Sequence, residues 1–386
     1  MQQPTPAPAP RVDAIDALRG LVMIIMALDH TRAFWGSSGW DPDPGNSTAG
    51  TFITRWITHF CAPVFVLLAG SSAALSLARG RSKGDLAAFL IKRGLWLALL
   101  DLTVVSFVWF FRIGEPFVTD VLWVIGWSMV VLAALIRLPG FVTAIFGLVL
   151  VAGHNGFDAI RASSFGSQAW IWNLLHEPGL ISLWGEQVWW IGYPLVPWVG
   201  VMALGYGLGR VLPADPQRRR RMLISLGAAL VAAFIVLRAT NLYGDPRPWS
   251  KGPDWVSTVF SFVNCEKYPP SLLYLLMTIG PAMLGLAALD RMKGQPPNFL
   301  LVLGRVPLFF YVVHLYLIHA AAALYFAPRF GPAAFHVDPD SPPAGFGVPL
   351  SAVYAAWIAL VIAIYPACTW FERLKQSRRR AWLTYL

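Results

Sequence analysis

Ten stretches of predominantly apolar residues fill the chain between residues 17 and 371, separated by loops that carry most of its charge. A helical crossing of a bilayer takes about 20 apolar residues. The runs lie at 17–36, 52–78, 87–111, 117–137, 139–153, 188–211, 221–238, 270–290, 299–326 and 349–371. Arg137-Leu138-Pro139 allows only a tight turn between the fourth and fifth, and the fifth is short for a full crossing. Only 13% of the 386 residues are charged and 56% are hydrophobic, whereas a soluble domain carries about 25% charged residues. The expectation is an all-α, polytopic membrane helix bundle of about ten helices. The 18 Trp and 24 Phe residues suit rings gathered at the two membrane interfaces.

Residues 1–16 read as a tail, Pro/Ala-rich over Gln2–Pro10. It lacks the basic start and apolar centre of a cleavable signal peptide, so the first helix is expected to stay. Residues 372–386 read as a second, basic tail, leaving 17–371 as one transmembrane domain with no internal repeat and no separate soluble unit. The net charge of +10 does not point to nucleic acid, because the cations sit in short loops. Arg79, Arg81 and Lys83 follow the second run, Arg218 to Arg221 precede the seventh, Arg291 and Lys293 precede the ninth, and Arg373, Lys375 and Arg378 to Arg380 follow the tenth. The positive-inside rule gathers all of these on the cytoplasmic side if both termini are there. The opposite loops, 37–51, 154–187, 239–269 and 327–348, are then external. Cys61, Cys265 and Cys368 form no Cys-x-x-Cys pair, so neither a disulfide framework nor a thiolate metal site is expected.

Ionisable residues inside such runs are costly and face a protein or water-filled interior. In the first run Arg19 and His30 stand eleven residues apart. At roughly 100° per residue they return to within about 20° of one face, separated by roughly 16 Å along the axis. One face thus carries a cation near one surface and Asp29-His30 most of the way to the other. Phe34, Trp35 and Trp40 mark the aromatic belt beyond it. Imidazole exchanges protons near neutral pH; Asp29 would hold its tautomer, or serve Arg32 or a neighbouring helix, since adjacent side chains point about 100° apart. The plainer account is a polar cluster that anchors the helix end. His59 in the second run is expected at similar depth, either in a proton relay or metal pair with His30 or bonded to a neighbouring helix. Ala69-Gly70-Ser71-Ser72-Ala73-Ala74 reads as a close-packing surface.

The ninth run carries Arg305, Tyr311, His314 and His319. Tyr311 and His314, three apart, share a face; His314 and His319, five apart, diverge. With no His-x-x-x-His or His-Glu-x-x-His and no convergent set of three or four ligands, metal catalysis is not expected. On the outer side, Glu266-Lys267-Tyr268 and Glu186-Gln187 with Trp189, Trp190 and Tyr193 combine rings with polar groups, as sugar sites do and as plain aromatic belts also do.

Arg19-x10-His30 resembles the pattern of the third family of integral-membrane acyltransferases. Asp16-Ala17-Leu18-Arg19-Gly20-Leu21, Pro63-Val64-Phe65-Val66-Leu67-Leu68-Ala69-Gly70 and Tyr311-x-x-His314 are similar to heparan-α-glucosaminide N-acetyltransferase and its bacterial relatives, although the heparan enzyme carries Asn where His30 stands and Asp where His59 stands. That family's first-loop His, Trp and Gly have no counterpart between Gly36 and Gly50. The resemblance implies transfer of an acetyl group from acetyl-CoA to the hydroxyl or amine of a sugar or glycoconjugate across a bacterial inner membrane. Under it, Arg19, Arg93 and Arg305 would neutralise donor phosphates. His30 would be the general base or the acetyl carrier, with Asp29 as its orienting or charge-balancing partner. Arg32, His59, Tyr311, His314, Glu266 and Lys267 would line the cavity, with no metal. The partners are then acyl-CoA, the acceptor, the bilayer and, in one arrangement, a second copy of the chain. A proton-coupled transporter using His30, His59 and His314 is the alternative, although transporters often show matching halves. A sensor or structural partner would tolerate loss of every polar span residue.

Overall fold

The computed structural model describes residues 12–37, 47–112, 117–182, 188–292, 296–338, 341–378 and 383. Trp40, Glu186, Gln187, Lys293, Arg379 and Arg380, named above, lie outside them. Fifteen α-helices are assigned among the described residues: α1 (Asp13–Trp35), α2 (Ala49–Thr58), α3 (Cys61–Ala78), α4 (Lys83–Leu100), α5 (Ser106–Phe110), α6 (Val121–Leu135), α7 (Gly140–Gly153), α8 (Ala169–Leu175), α9 (Leu195–Gly209), α10 (Pro216–Thr240), α11 (Trp255–Val263), α12 (Leu272–Arg291), α13 (Asn298–Arg305), α14 (Pro307–Phe330) and α15 (Leu350–Ser377). Among the described residues, six segments are long and apolar enough to cross a membrane: Ala49–Ala78, Gly140–Phe157, Pro216–Thr240, Leu272–Arg291, Pro307–His336 and Leu350–Ser377. The remaining four of the ten expected runs are helical as well. Two of these, α6 and α9, are apolar but only 15 residues each. The other two, α1 and α4, carry too many charged residues to qualify by apolarity. The chain is a helical integral membrane protein, with apolar side chains such as Phe141 and Val149 of α7, Val236 of α10 and Ile362 of α15 exposed on its outside.

Helix α1 runs through the interior, packed against α2, α3, α12, α13, α14 and α15. Of its polar side chains, Asp16, Asp29, His30, Thr31 and Arg32 are buried, so they face protein rather than lipid, the arrangement that makes intramembrane charge tolerable. It begins at Asp13, so the expected tail of residues 1–16 ends earlier than its sequence suggests. At the other end of the domain, α15 continues to Ser377 rather than stopping at 371.

Prolines divide two of the expected runs. The second breaks at His59–Phe60 into α2 and α3. Pro63 has no N–H to offer the carbonyl four residues back, and its ring crowds that carbonyl. The carbonyl concerned is that of His59, which instead accepts a hydrogen bond from Tyr274 Oη at 2.7 Å. Pro307 likewise separates α13 from α14 and serves as the first residue of the latter, the helical position where a missing N–H costs least. The helix of the third run begins earlier than 87, at Lys83, where Ser82 caps α4 by accepting from the Asp85 amide. Its helix then widens into a π-helical turn over Asp101–Val105 before α5.

The all-α expectation needs one correction. Phe117–Thr119 (β1), Gly179–Ser182 (β2) and Val188–Ile191 (β3) form a three-stranded sheet in the order β1-β3-β2, with β1 parallel and β2 antiparallel to β3. The paired residues include Phe117 with Trp189 and Thr119 with Ile191. Aromatic and β-branched side chains favour a pleated surface, so the residues read as the starts of the fourth and sixth spans are instead strands that lead into α6 and α9.

Close approach of α3 to α9 rests on glycine. A Cβ at Gly70 would collide with the Met202 carbonyl, and one at Gly205 with the Leu67 carbonyl, in line with small residues at membrane helix contacts. Ser71 Oγ crosses the same contact to the Gly205 carbonyl at 2.9 Å. Gly205→Leu should therefore destabilise the bundle by about 1–3 kcal/mol or more, visible as a lower melting temperature in detergent. An unchanged melting temperature would show that the two helices can part freely.

Candidate active site

Helices α1 and α14 meet at a pair of histidines. His30 Nδ1 lies 2.7 Å from His314 Nε2, and the rings stack with centroids 5.0 Å apart. His314 Nδ1 lies 2.9 Å from the Phe310 carbonyl, which only accepts. Nδ1 of His314 is therefore the protonated nitrogen, and its Nε2 carries the lone pair in the neutral ring. It follows that His30 donates through Nδ1, which leaves the lone pair of neutral His30 on Nε2. Both residues are buried. Trp109 and Tyr311 stand edge-on to His30 at 5.5 and 6.2 Å, so aromatic walls fix the ring's plane.

Behind Tyr311 runs a chain of carboxylates. Tyr311 Oη donates to Asp120 Oδ2 at 3.1 Å. The Asp120 amide donates to Asp101 Oδ2 at 2.6 Å, and Asp120 Oδ1 caps α6 through the Val121 amide. Asp101 has no solvent exposure, and its Oδ1 has no hydrogen-bond partner among the described residues. It opens the π-helical turn, a distortion found often at functional sites. Neither Asp101 nor Asp120 stood out in the sequence reading. The available signal was a lone carboxylate inside the apolar run 87–111, which by itself marks a functional position.

Asp29 is engaged elsewhere. Arg55 Nη1 reaches its Oδ1 and Oδ2 at 3.1 and 2.9 Å, and Arg32 Nη2 reaches Oδ1 at 3.3 Å. All three residues are buried. Of the two roles weighed for Asp29, the geometry favours service to Arg32 and a neighbouring helix over holding the His30 tautomer, which His314 does. The imidazole that His30 meets is likewise His314 and not His59. The His59 ring is buried beside Tyr274, centroids 5.4 Å apart, and neither of its nitrogens has a hydrogen-bond partner among the described residues. His319 diverges from His314 as expected: it bonds the Val108 carbonyl at 2.5 Å and stacks between Phe34 and Phe111.

Glu266 and Lys267 part company. Lys267 is buried, its ammonium 4.9 Å from the centre of the Tyr268 ring. Glu266 is taken up by the loop itself, pairing with Arg247 Nε at 2.6 Å and accepting from the Tyr268 amide.

A cavity of about 370 Å³ opens beside this centre. Arg19, Arg79, Arg81, Arg93, Arg305 and Lys375 supply six cations to its lining. Apolar side chains including Met23, Phe65, Leu86, Leu90, Leu97 and Leu122 supply most of the rest, and Tyr311 also reaches it. The three arginines expected to face a donor thus share one cavity with the tyrosine that flanks both histidines, 5.7 Å from His314 by ring centroid. Arg19 is held in place by Asp16, the Gly304 carbonyl and Ser72, each at 3.0 Å. Arg305 bridges Glu372 at 3.0 Å and Asp13 at 3.5 Å.

The family model described as heparan-alpha-glucosaminide N-acetyltransferase, catalytic, matches residues 11–242, well over half of the chain. The matched stretch holds Arg19, Asp29, His30, Arg55, His59, Arg93, Asp101 and Asp120; Arg305, Tyr311 and His314 come from outside it. A comparison with curated proteins finds no match.

Proposed function

The chain belongs to the heparan-alpha-glucosaminide N-acetyltransferase catalytic family, and on that premise we propose that it carries an acetyl group from cytoplasmic acetyl-CoA to a sugar or glycoconjugate hydroxyl or amine on the far side of a bacterial inner membrane. The observation that carries this reading is the cavity: a cluster of cations and an apolar wall share one space with Tyr311. Acetyl-CoA has the matching parts. Its phosphates seek guanidinium groups, and its pantetheine arm is long, thin and mostly uncharged.

In this reading His30 acts through Nε2. It either removes the proton of the acceptor hydroxyl or amine as that group attacks the thioester, or attacks the thioester carbonyl itself and passes the acetyl group on. Both routes place positive charge on the His30 ring, and His314 Nε2 is positioned to accept from the Nδ1–H of that imidazolium at 2.7 Å. Tyr311, whose hydroxyl proton is given to Asp120, serves as a fixed wall between the donor cavity and His30. Lys267, buried next to Tyr268, is the proposed acceptor-side group, and the arginines of the basic mouth hold the donor.

Arg19→Ala should weaken acetyl-CoA binding about ten- to hundredfold, the equivalent of one charge-assisted contact of about 1.5–3 kcal/mol. Calorimetry on the detergent-purified variant reads this directly; an unchanged affinity in a folded protein would remove Arg19 from the donor site. The broader test compares acetyl-CoA binding and hydrolysis by the purified protein with solute uptake into sealed vesicles. Uptake without any response to acetyl-CoA would replace the transferase by a transporter.

A further inference from the structure

His154, Asp158 and His176 come together where α7 ends and α8 ends, in a cluster the acetyl-transfer reading does not use. Each offers one ligand atom, and these atoms all lie within 4.8 Å of one another. His176 Nε2 stands 3.1 Å from Asp158 Oδ1. Ligands about 2.0–2.2 Å from a tetrahedral zinc ion stand roughly 3.4 Å apart, so this edge is already close to the required length.

His154 supplies the independent observation. The residue is 2% exposed, yet neither ring nitrogen makes a hydrogen bond of ordinary geometry among the described residues. The Pro270 carbonyl lies close enough to draw on one ring N–H, at a geometry poorer than that of a full hydrogen bond. One ring N–H turned to that carbonyl leaves the other nitrogen a buried lone pair with no partner, which is costly and which a metal ion would satisfy. The surroundings of Asp158 fit the same purpose. Asn155 Nδ2 donates to Asp158 Oδ2 at 2.8 Å, which orients the carboxylate as outer partners of metal ligands do. Asn155 Oδ1 in turn accepts from the Leu272 amide at 2.8 Å, tying the cluster to the start of α12.

We propose that His154, Asp158 and His176 bind one zinc ion, with water completing a tetrahedral set. Two imidazoles and one carboxylate suit zinc, whereas calcium and magnesium call for larger oxygen sets. The ion clamps the 154–176 segment against the first residues of α12, next to the turn that carries Lys267. The site escaped the sequence reading because the ligands are spaced His-x-x-x-Asp, with the second histidine eighteen residues further on, so no familiar zinc signature appears.

The test uses the full chain, purified in detergent through a tag without histidines. After removal of loosely held metal, mass spectrometry should find about one zinc per chain in the wild type, as for a three-residue site. Little should remain in His154→Ala, Asp158→Asn or His176→Ala. Cobalt chloride added to chelator-treated wild type should give the intense visible bands of tetrahedral cobalt, and the variants should not. Chelation should lower the melting temperature of the wild type alone. Should His154→Ala fail to fold, Asp158→Asn and the cobalt spectrum of the wild type carry the test. Zinc content and cobalt spectra that are the same in wild type and folded variants, or no zinc retained by the wild type, would overturn the proposal.

Discussion

His30→Ala abolishes measurable acetyl transfer while the protein still folds and still binds acetyl-CoA: that is the expected result of removing the ring whose Nε2 carries the lone pair. A general base contributes about 10²–10⁴-fold to rate, and a covalent carrier contributes more. Single-turnover assays with labelled acetyl-CoA and a panel of sugars separate the two routes. Label retained on the wild type and missing from His30→Ala identifies an acetyl-histidine. His314→Ala should also slow transfer, by a smaller factor, because it removes the acceptor 2.7 Å from His30 Nδ1 without removing the reacting nitrogen. Transfer by His30→Ala within a few-fold of wild type would end the assignment.

The second large effect is on stability. Arg55 and Asp29 form a buried ion pair with side-chain exposures of 3% and 9%, and Arg32 adds a weaker contact at 3.3 Å. Arg55→Ala takes away two of the three hydrogen bonds from Arg32 and Arg55 to the Asp29 carboxylate but leaves its charge in place. Breaking a buried pair from one side costs about 3–5 kcal/mol, whereas replacing both partners by neutral groups of similar size is often close to neutral. Arg55→Ala should therefore unfold at a much lower temperature, and Asp29→Asn combined with Arg55→Met should recover most of the loss. Thermal unfolding of the single and double variants in detergent decides the matter. A single variant as stable as wild type would mean that Asp29 is not held by this pair, and its proposed role beside His30 would regain force.

Much of the layout was legible because the signals are local. Apolar runs and their separation follow from composition, and the runs 221–238, 270–290 and 349–371 correspond to α10, α12 and α15. The shared face of Arg19 and His30, and that of Tyr311 and His314, follow from helical pitch alone. The breaks at His59 and Val306 are less visible in the apolar pattern, though Pro63 and Pro307 account for both. The strands were misread because Val188-Trp189-Trp190-Ile191 is apolar enough to pass for the start of a span. A run of that length cannot be assigned to strand or helix by periodicity.

What the amino-acid sequence determined by itself is the membrane class, the helical runs and which residues share a face within each. These depend on the transfer of side chains out of water and on the fixed step of one helix. What only the tertiary structure decided is which face meets which. His30 finds His314 across 284 residues of chain, Asp29 finds Arg55 on a neighbouring helix, Asp101 and Asp120 are joined by the widened turn at the end of α4, and His154 is drawn to His176 by the fold of the 154–176 segment. Rotation and depth of one helix against another are set by side-chain packing and by small residues such as Gly70 and Gly205. In helices that are apolar nearly all round, no local pattern records that choice.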